Sequence, residues 1–354
     1  MKRKFATIYS LILTLLLLAG LVCVFFLAWD RILDLVWCVA GMALSFVLAP
    51  IIHELGHVFA AKRAGMEFVF VKCFCFKFVR EQGKARIRFA SPFSPDVTQV
   101  MPKYAGNMQN RAAKYTIGGL IFSGVFLLLI LMGGIFFSCF DKPIWAFWGA
   151  IPYSAYLFLL NVIPLEYAGG KTDALVYYGI KKEQPAEKTM LAAMEIQGGL
   201  YEGKSFSEIE ERLYYDVPIL PEDEPLYAVM MDLRYRYHLE KGEMERASDC
   251  LNRLAVSQAY LSDAEIKQIA VELAYMHAIN GDLANAEASA QICKDVLQED
   301  SAKSIRALLA YSIAVGNAEG VALLKEKGLA AIEREYPRGV AKSERIIFSR
   351  LIEE

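Results

Sequence analysis

Residues His53-Glu54-Leu55-Gly56-His57 set two imidazoles four positions apart with a carboxylate beside the first. On a helix, positions i and i+4 share a face, so both rings point the same way. Two histidines so arranged can hold Zn2+ while the glutamate takes a proton from metal-bound water. The chain has only four histidines, which makes this spacing a specific signal rather than a product of composition. The competing reading is a pair of core histidines beside a buried glutamate. The setting argues against it: residues 35–52, just before the motif, carry no charge, and ionisable groups at membrane depth are costly and usually functional. A hydrolytic metal motif inside a membrane helix points to cutting peptide bonds within the bilayer.

The elements that must position this motif are mostly membrane spans. Stretches 5–28, 35–59, 115–140 and 144–163 are each long enough to cross a hydrocarbon core of about 30 Å. The first follows Lys2-Arg3-Lys4 and so begins like a signal peptide. It outruns a typical signal apolar run and lacks a small-x-small cleavage site, so it reads as a retained anchor. Lys and Arg placement sets the orientation. Lys2, Arg3 and Lys4 mark one cytoplasmic end, and the segment from Lys62 to Lys114 adds Arg63, Lys72, Lys77, Arg80, Lys84, Arg86, Arg88, Lys103 and Arg111, whereas the two opposite loops offer Arg31 and Lys142. The expectation is an integral plasma-membrane protein with both termini cytoplasmic and the His53 motif in the cytoplasmic half of its helix. Pro50, one turn before His53, and Pro152 are placed to kink their spans. Gly118, Gly119, Ser123 and Gly124 give the third span a small-residue packing face.

Between the second and third spans, residues 66–79 and 85–89 alternate aromatic and β-branched side chains around the break Glu81-Gln82-Gly83-Lys84, which reads as a β-hairpin. Such a hairpin can pair an unwound substrate at its edge, or rest its aromatics at the headgroups.

Composition agrees with a membrane protein joined to a soluble one. Of 354 residues, 55% are hydrophobic, above the usual share for soluble domains, and the net charge of −2 hides a basic, apolar first half and an acidic second half. The expected organisation is a membrane domain over 1–180, connecting helices and a linker over 181–225 marked by Pro218, Pro221 and Pro225, and a cytoplasmic helical domain over 226–354. The fold class is mainly α: a polytopic membrane domain of four transmembrane helices with a small β-hairpin, then an all-α helical-repeat soluble domain. Seven cysteines (23, 38, 73, 75, 139, 250 and 293) lack paired spacing and argue against a disulfide framework.

A zinc hydrolase usually uses three protein ligands and leaves a fourth position for water. No further histidine lies in the membrane half, so the third ligand should be an acidic residue near the end of the fourth span. Asp173 and Glu166 are the candidates in the stretch from Asn161 to Ala174.

Here the chain resembles the site-2 protease family of intramembrane metalloproteases, which pairs an HExxH helix with a later Asn-x-x-Pro stretch and an Asp-Gly ligand motif. His53, Glu54 and His57 match the first element, Asn161 and Pro164 the second, and Asp173 the ligand aspartate. The resemblance covers roughly residues 35–180. It departs in two places: Thr172-Asp173-Ala174 stands for the usual Leu-Asp-Gly, and Gly169-Gly170-Lys171 lengthens the interval, where the glycines let the chain bend back toward the metal. The resemblance implies that His53, His57 and Asp173 bind Zn2+ and that Glu54 is the general base, returning its proton to the leaving amine. Asn161 would hold substrate and donate to the oxyanion; the alternative is a helix-end cap near Pro164. The implied substrate is a membrane-anchored protein or peptide whose helix unwinds locally, because helical carbonyls are otherwise engaged.

Beyond the linker, helical periodicity turns at Gly242-Glu243, Gly281-Asp282 and Gly316-Asn317, intervals of 39 and 35 residues that resemble the 34-residue tetratricopeptide repeat. Tyr235, Tyr237, Tyr275, Met276 and Tyr311 precede the turns; Ala247 and Ala286 follow two of them, with Val321 in the third place. The expectation is a helical array able to bind a protein partner, against a plain helical bundle. His238 and His277 read as packing or surface residues. No Gly-rich phosphate loop appears, and the basic 62–114 segment suits anionic lipid better than nucleic acid. Two rival functions stand beside the protease: a membrane zincin of the prenyl-protein-processing kind, and a catalytically silent adaptor, which would not need Glu54.

Overall fold

Long runs of Leu, Ile, Val and Phe form helices where each backbone group must be satisfied within its own segment. In the computed structural model, which describes residues 2–81, 84–91, 96–140, 144–167, 170–256 and 261–353, the first such helices are α1 (Lys2–Leu27), α2 (Ile32–Arg63) and α3 (Met108–Cys139). Among the described residues, Phe5–Leu27, Ile32–Arg63 and Met108–Cys139 are long and apolar enough to cross a membrane. Leu16, Phe26, Leu33 and Leu129 on these helices are each more than half exposed, a density of bare apolar surface that suits lipid rather than water. The fourth apolar stretch becomes α4 (Trp145–Val162), an 18-residue helix rich in Trp and Tyr. Lys142 in the preceding loop lies outside the described residues.

Small residues bring these helices into backbone contact. A Cβ on Gly56 of α2 would fall 2.5 Å from the Gly118 carbonyl oxygen of α3. Gly41 of α2 and Gly149 of α4 meet in the same way, each against a backbone carbonyl of the other helix. Pro50 sits inside α2 without ending it. At the end of α2, the buried Arg111 of α3 donates to the carbonyls of Ala64 at 2.7 Å and Gly65 at 2.9 Å, satisfying backbone that the helix can no longer pair.

The segment between α2 and α3 is a four-stranded sheet, not a single hairpin. Its strands are β1 (Met66–Cys73), β2 (Phe76–Glu81), β3 (Lys84–Phe89) and β4 (Val97–Pro102), in spatial order β3-β2-β1-β4. The expected turn at Gln82-Gly83 lies outside the described residues, but its flanking strands pair, with Glu81 opposite Lys84. The sequence reading missed the turn at Phe74-Cys75, which divides 66–79 into two strands with Cys73 opposite Phe76. Phe74 adopts φ +52, a conformation hairpin turns normally assign to Gly or Asn. Asp96, more than twenty residues later, compensates: its Oδ1 accepts from the Phe74 amide at 2.7 Å and from Lys72 Nζ at 2.9 Å. A turn stabilised from that distance leaves no local signature.

After α4, the two-residue strands β5 (Glu166–Tyr167) and β6 (Gly170–Lys171) pair, Glu166 opposite Lys171, and lead into α5 (Asp173–Lys181) and α6 (Pro185–Glu202). The chain divides into two compact units, one of Met1–Met101 with Asn107–Glu187, the other of Pro102–Gly106 with Lys188–Glu354.

The second unit, from Lys188 onward, has only helices as regular elements among its described residues. It holds the rest of α6, then α7 (Arg212–Tyr215), α8 (Pro225–Lys241), α9 (Met244–Val256), α10 (Asp263–Ile279), α11 (Leu283–Ile292), α12 (Lys294–Leu297), α13 (Ala302–Ala314), α14 (Ala318–Ile332) and α15 (Arg338–Glu353). One core joins Ile196 and Leu200 of α6 to Phe206, Ile209, Tyr214, Met230, Leu233 and Tyr237, so much of the stretch before Pro225 packs as structure. Helices α8, α10 and α13 end alike. Gly242, Gly281 and Gly316 take φ +77, +73 and +72, and the next amide returns to the carbonyl five residues back: Glu243 to His238, Asp282 to His277, Asn317 to Ser312. This is the Schellman closure, whose left-handed residue is cheap only for glycine. His238 is buried and finds partners the sequence reading did not: Glu243 at 2.7 Å on Nδ1, and the Tyr215 hydroxyl on Nε2.

Candidate metal centre

Because α2 continues past Pro50, His53 and His57 fall on one face, with ring centroids 4.9 Å apart and planes at 85°. Their Nε2 atoms are 3.3 Å apart. Asp173 Oδ2 lies 3.2 Å from each of them. These three form the metal-capable cluster among the described residues. Zinc bonds to N and O of about 2.0–2.1 Å in tetrahedral geometry put neighbouring donors about 3.3–3.4 Å apart. The observed triangle has nearly those edges.

Hydrogen positions follow from the outer partners. His57 Nδ1 sits 3.1 Å from the Tyr115 carbonyl oxygen, which only accepts, so Nδ1 carries the hydrogen and Nε2 of the neutral ring presents a bare lone pair. His53 Nδ1 pairs with Ser123 Oγ at 2.9 Å. Partners of this kind orient metal-binding imidazoles. Asp173 Oδ2 is buried and has no hydrogen-bond partner. Burial pushes the Asp173 carboxyl up, but the two imidazoles outweigh it and hold it at about 2, so the group is anionic. The two imidazole nitrogens and the anionic carboxylate oxygen converge within 3.2–3.3 Å of one another, and a divalent cation can take the place of the protons that otherwise link such groups. The residues present therefore fit a zinc ion.

The third helix closes one side. A Cβ at Gly119 would collide with His57 Nε2 and come 2.8 Å from His53 Cε1, so only glycine lets the α3 backbone pass here. Asp173 reaches the cluster because Thr172 ties the connecting loop together. Its hydroxyl donates to the Ile163 carbonyl at 2.8 Å and accepts from the amides of Leu165 and Leu175, capping α5, with Asp173 as its first residue. Gly170 takes φ +127, a bend that needs glycine; Gly169 lies outside the described residues. Glu166 is exposed on β5 and does not join the cluster.

Glu54 is buried beside the two histidines, and its Oε2 accepts from the Thr98 hydroxyl of β4 at 2.6 Å. The Tyr115 hydroxyl in turn donates to the Thr98 carbonyl, so one residue, Tyr115, braces both His57 and the strand that holds Glu54. Sequence reasoning missed Thr98, Tyr115 and Ser123. Ser123 was legible only as part of a small-residue face, and nothing local marks the other two. Asn161, on the last turn of α4, donates from Nδ2 to the Leu157 carbonyl at 3.2 Å, which engages its amide within its own helix.

The arrangement thus offers three metal donors, a braced carboxylate and a side closed by backbone. Comparison with known protein families, with curated proteins and with solved structures finds no match to this chain.

Proposed function

We propose that the chain is an intramembrane zinc endopeptidase resembling the site-2 protease family, acting on a membrane-anchored protein or peptide. The observation that carries this reading is the 3.2–3.3 Å triangle of His53 Nε2, His57 Nε2 and Asp173 Oδ2 on a helix apolar enough to span a bilayer. His53, His57 and Asp173 would hold the ion. When bound, zinc supplies a Lewis acid that acidifies water and polarises a carbonyl. Glu54 takes the proton of the attacking water and delivers it to the leaving amine; the Thr98 hydroxyl keeps the carboxylate aimed. Asn161 would turn its amide from Leu157 to the substrate carbonyl, stabilising the developing oxyanion.

We read α4 as a fourth span. It packs against α1, where Tyr9 donates to the Leu159 carbonyl at 2.9 Å, and against α2 through Gly41 and Gly149. With four spans, Lys and Arg placement puts both termini and the metal site on the cytoplasmic side, and the plasma membrane is the expected location. The shared Schellman closures of α8, α10 and α13 support a tetratricopeptide-like array, a surface on which a protein partner can be held.

The test is metal content and cleavage together. Purified full-length protein should hold about one zinc per chain and cut a transmembrane peptide presented in proteoliposomes, and Glu54→Gln should keep the zinc and lose the cleavage. Zinc without cleavage of any transmembrane peptide would favour the silent adaptor.

A further inference from the structure

The ion pair between Lys171 and Glu187 stands apart from the donor cluster, yet its two members bracket the ligand aspartate. Lys171 ends β6 two residues before Asp173, and its ammonium meets Glu187 Oε1 at 2.6 Å. Glu187 lies in the first turn of α6 and is 4% exposed. Its side chain crosses α5 at Gly179, where a Cβ would come 2.6 Å from Glu187 Cδ. One buried carboxylate therefore touches both the strand that enters Asp173 and the helix that leaves it. The far end of α5 is pinned separately, by Gln109 of α3 to the Ile180 carbonyl at 3.1 Å and Glu183 at 3.3 Å.

Stability alone is a poor reason for this pair. Burying a carboxylate is costly, and a well-packed apolar pair of similar volume is often as stable or more so. Glu187 Oε2 has no hydrogen-bond partner, so the desolvation is only partly offset. An ion pair does supply what an apolar contact lacks, a fixed distance and direction between two chain segments. Here the segments are those that set where Asp173 Oδ2 falls, and a donor displaced by even half an ångström leaves the tetrahedral edge.

We propose that the Lys171–Glu187 pair is a positioning device that holds Asp173 against the two imidazoles and so sets the metal affinity of the site. The proposal rests on the zinc-site reading above. Its test reads metal binding rather than cleavage. Metal-free full-length protein in detergent is titrated with Co2+, followed by visible absorption, and with Zn2+ against a chromophoric chelator. Glu187→Gln should weaken Zn2+ binding by about 10–100-fold, the usual effect of losing an outer partner of a metal ligand. The double variant Lys171→Met/Glu187→Leu leaves no unpaired buried charge and should fold as well as wild type, yet show the same loss and an altered Co2+ spectrum. Lys171→Arg, which keeps the pair, should bind as wild type. Wild-type affinity and spectrum in the double variant would overturn the proposal. Failure of the wild type to bind either ion would instead overturn the metal-site reading itself.

Discussion

The Thr98 hydroxyl donates to Glu54 Oε2 at 2.6 Å, joining a strand of the sheet to the carboxylate between the two histidines. The strand also accepts the Tyr115 hydroxyl on the Thr98 carbonyl, and the Tyr115 carbonyl accepts from His57. The sheet is therefore part of the site and not only a feature of the membrane surface.

Replacing Thr98 by Val keeps the shape and removes the donor. Because Thr98 touches Glu54 and none of the metal donors, zinc content should stay at the wild-type value while kcat/KM for a transmembrane peptide falls about 10-fold or more, a part of the roughly 100- to 10,000-fold that general-base catalysis is worth. Thr98→Ser should recover most of the rate. A variant that loses zinc and activity together would assign Thr98 to holding the fold of the site instead.

Third-ligand identity separates cleanly by metal analysis. Asp173→Ala removes the oxygen that stands 3.2 Å from both Nε2 atoms, and zinc should be lost or bound at least about 100-fold more weakly. Glu166→Gln, at an exposed position, should leave zinc unchanged. The reverse pattern would move the ligand to Glu166.

Gly119→Ala tests the closed side. The added methyl would occupy the space of the His57 ring nitrogen, so zinc should be lost although α3 keeps its helix content by circular dichroism. Gly124→Ala meets only the Phe158 ring at 3.2 Å, a side chain that can give, and should retain zinc. Equal retention by both variants would argue that α3 does not approach the imidazoles this closely.

In the second unit, the fully buried Arg306 bonds Glu272 at 2.8 Å and Glu344 at 3.0 Å, and Tyr235 donates to Glu272 at 2.8 Å. Arg306→Met would take the buried cation from both carboxylates, leaving Glu272 with the Tyr235 hydroxyl and Arg236, and should cost up to about 3–5 kcal/mol of unfolding free energy in urea melts of the full chain. Burial pushes the Glu272 carboxyl up, but Arg306 and Arg236 outweigh it and hold it well below the usual carboxylate range. A depressed folded value means the network stabilises fully above an ordinary glutamate value of about 4.3 and loses that contribution as pH falls toward the folded value. Melts between pH 6 and pH 3 should show this decline, and Glu272→Gln should flatten it. An unchanged acid slope in that variant would remove Glu272 from the account.

The amino-acid sequence alone determined the parts of this protein that depend on residues close together in the chain. The i, i+4 histidines, the uncharged run before them and the glycine-ended helices of the second half are written in local spacing, because helix faces, lipid solubility and left-handed turns are properties of short segments. Tertiary structure decided what depends on distant residues meeting. It brought Asp173, more than a hundred residues beyond the motif, to 3.2 Å from both rings while leaving Glu166 exposed. It supplied the hydroxyls of Thr98 and Ser123 and the carbonyl of Tyr115, and it stabilised the Phe74 turn through Asp96. A hydrogen bond depends on distance and direction in space, and neither is encoded in the number of residues separating its partners.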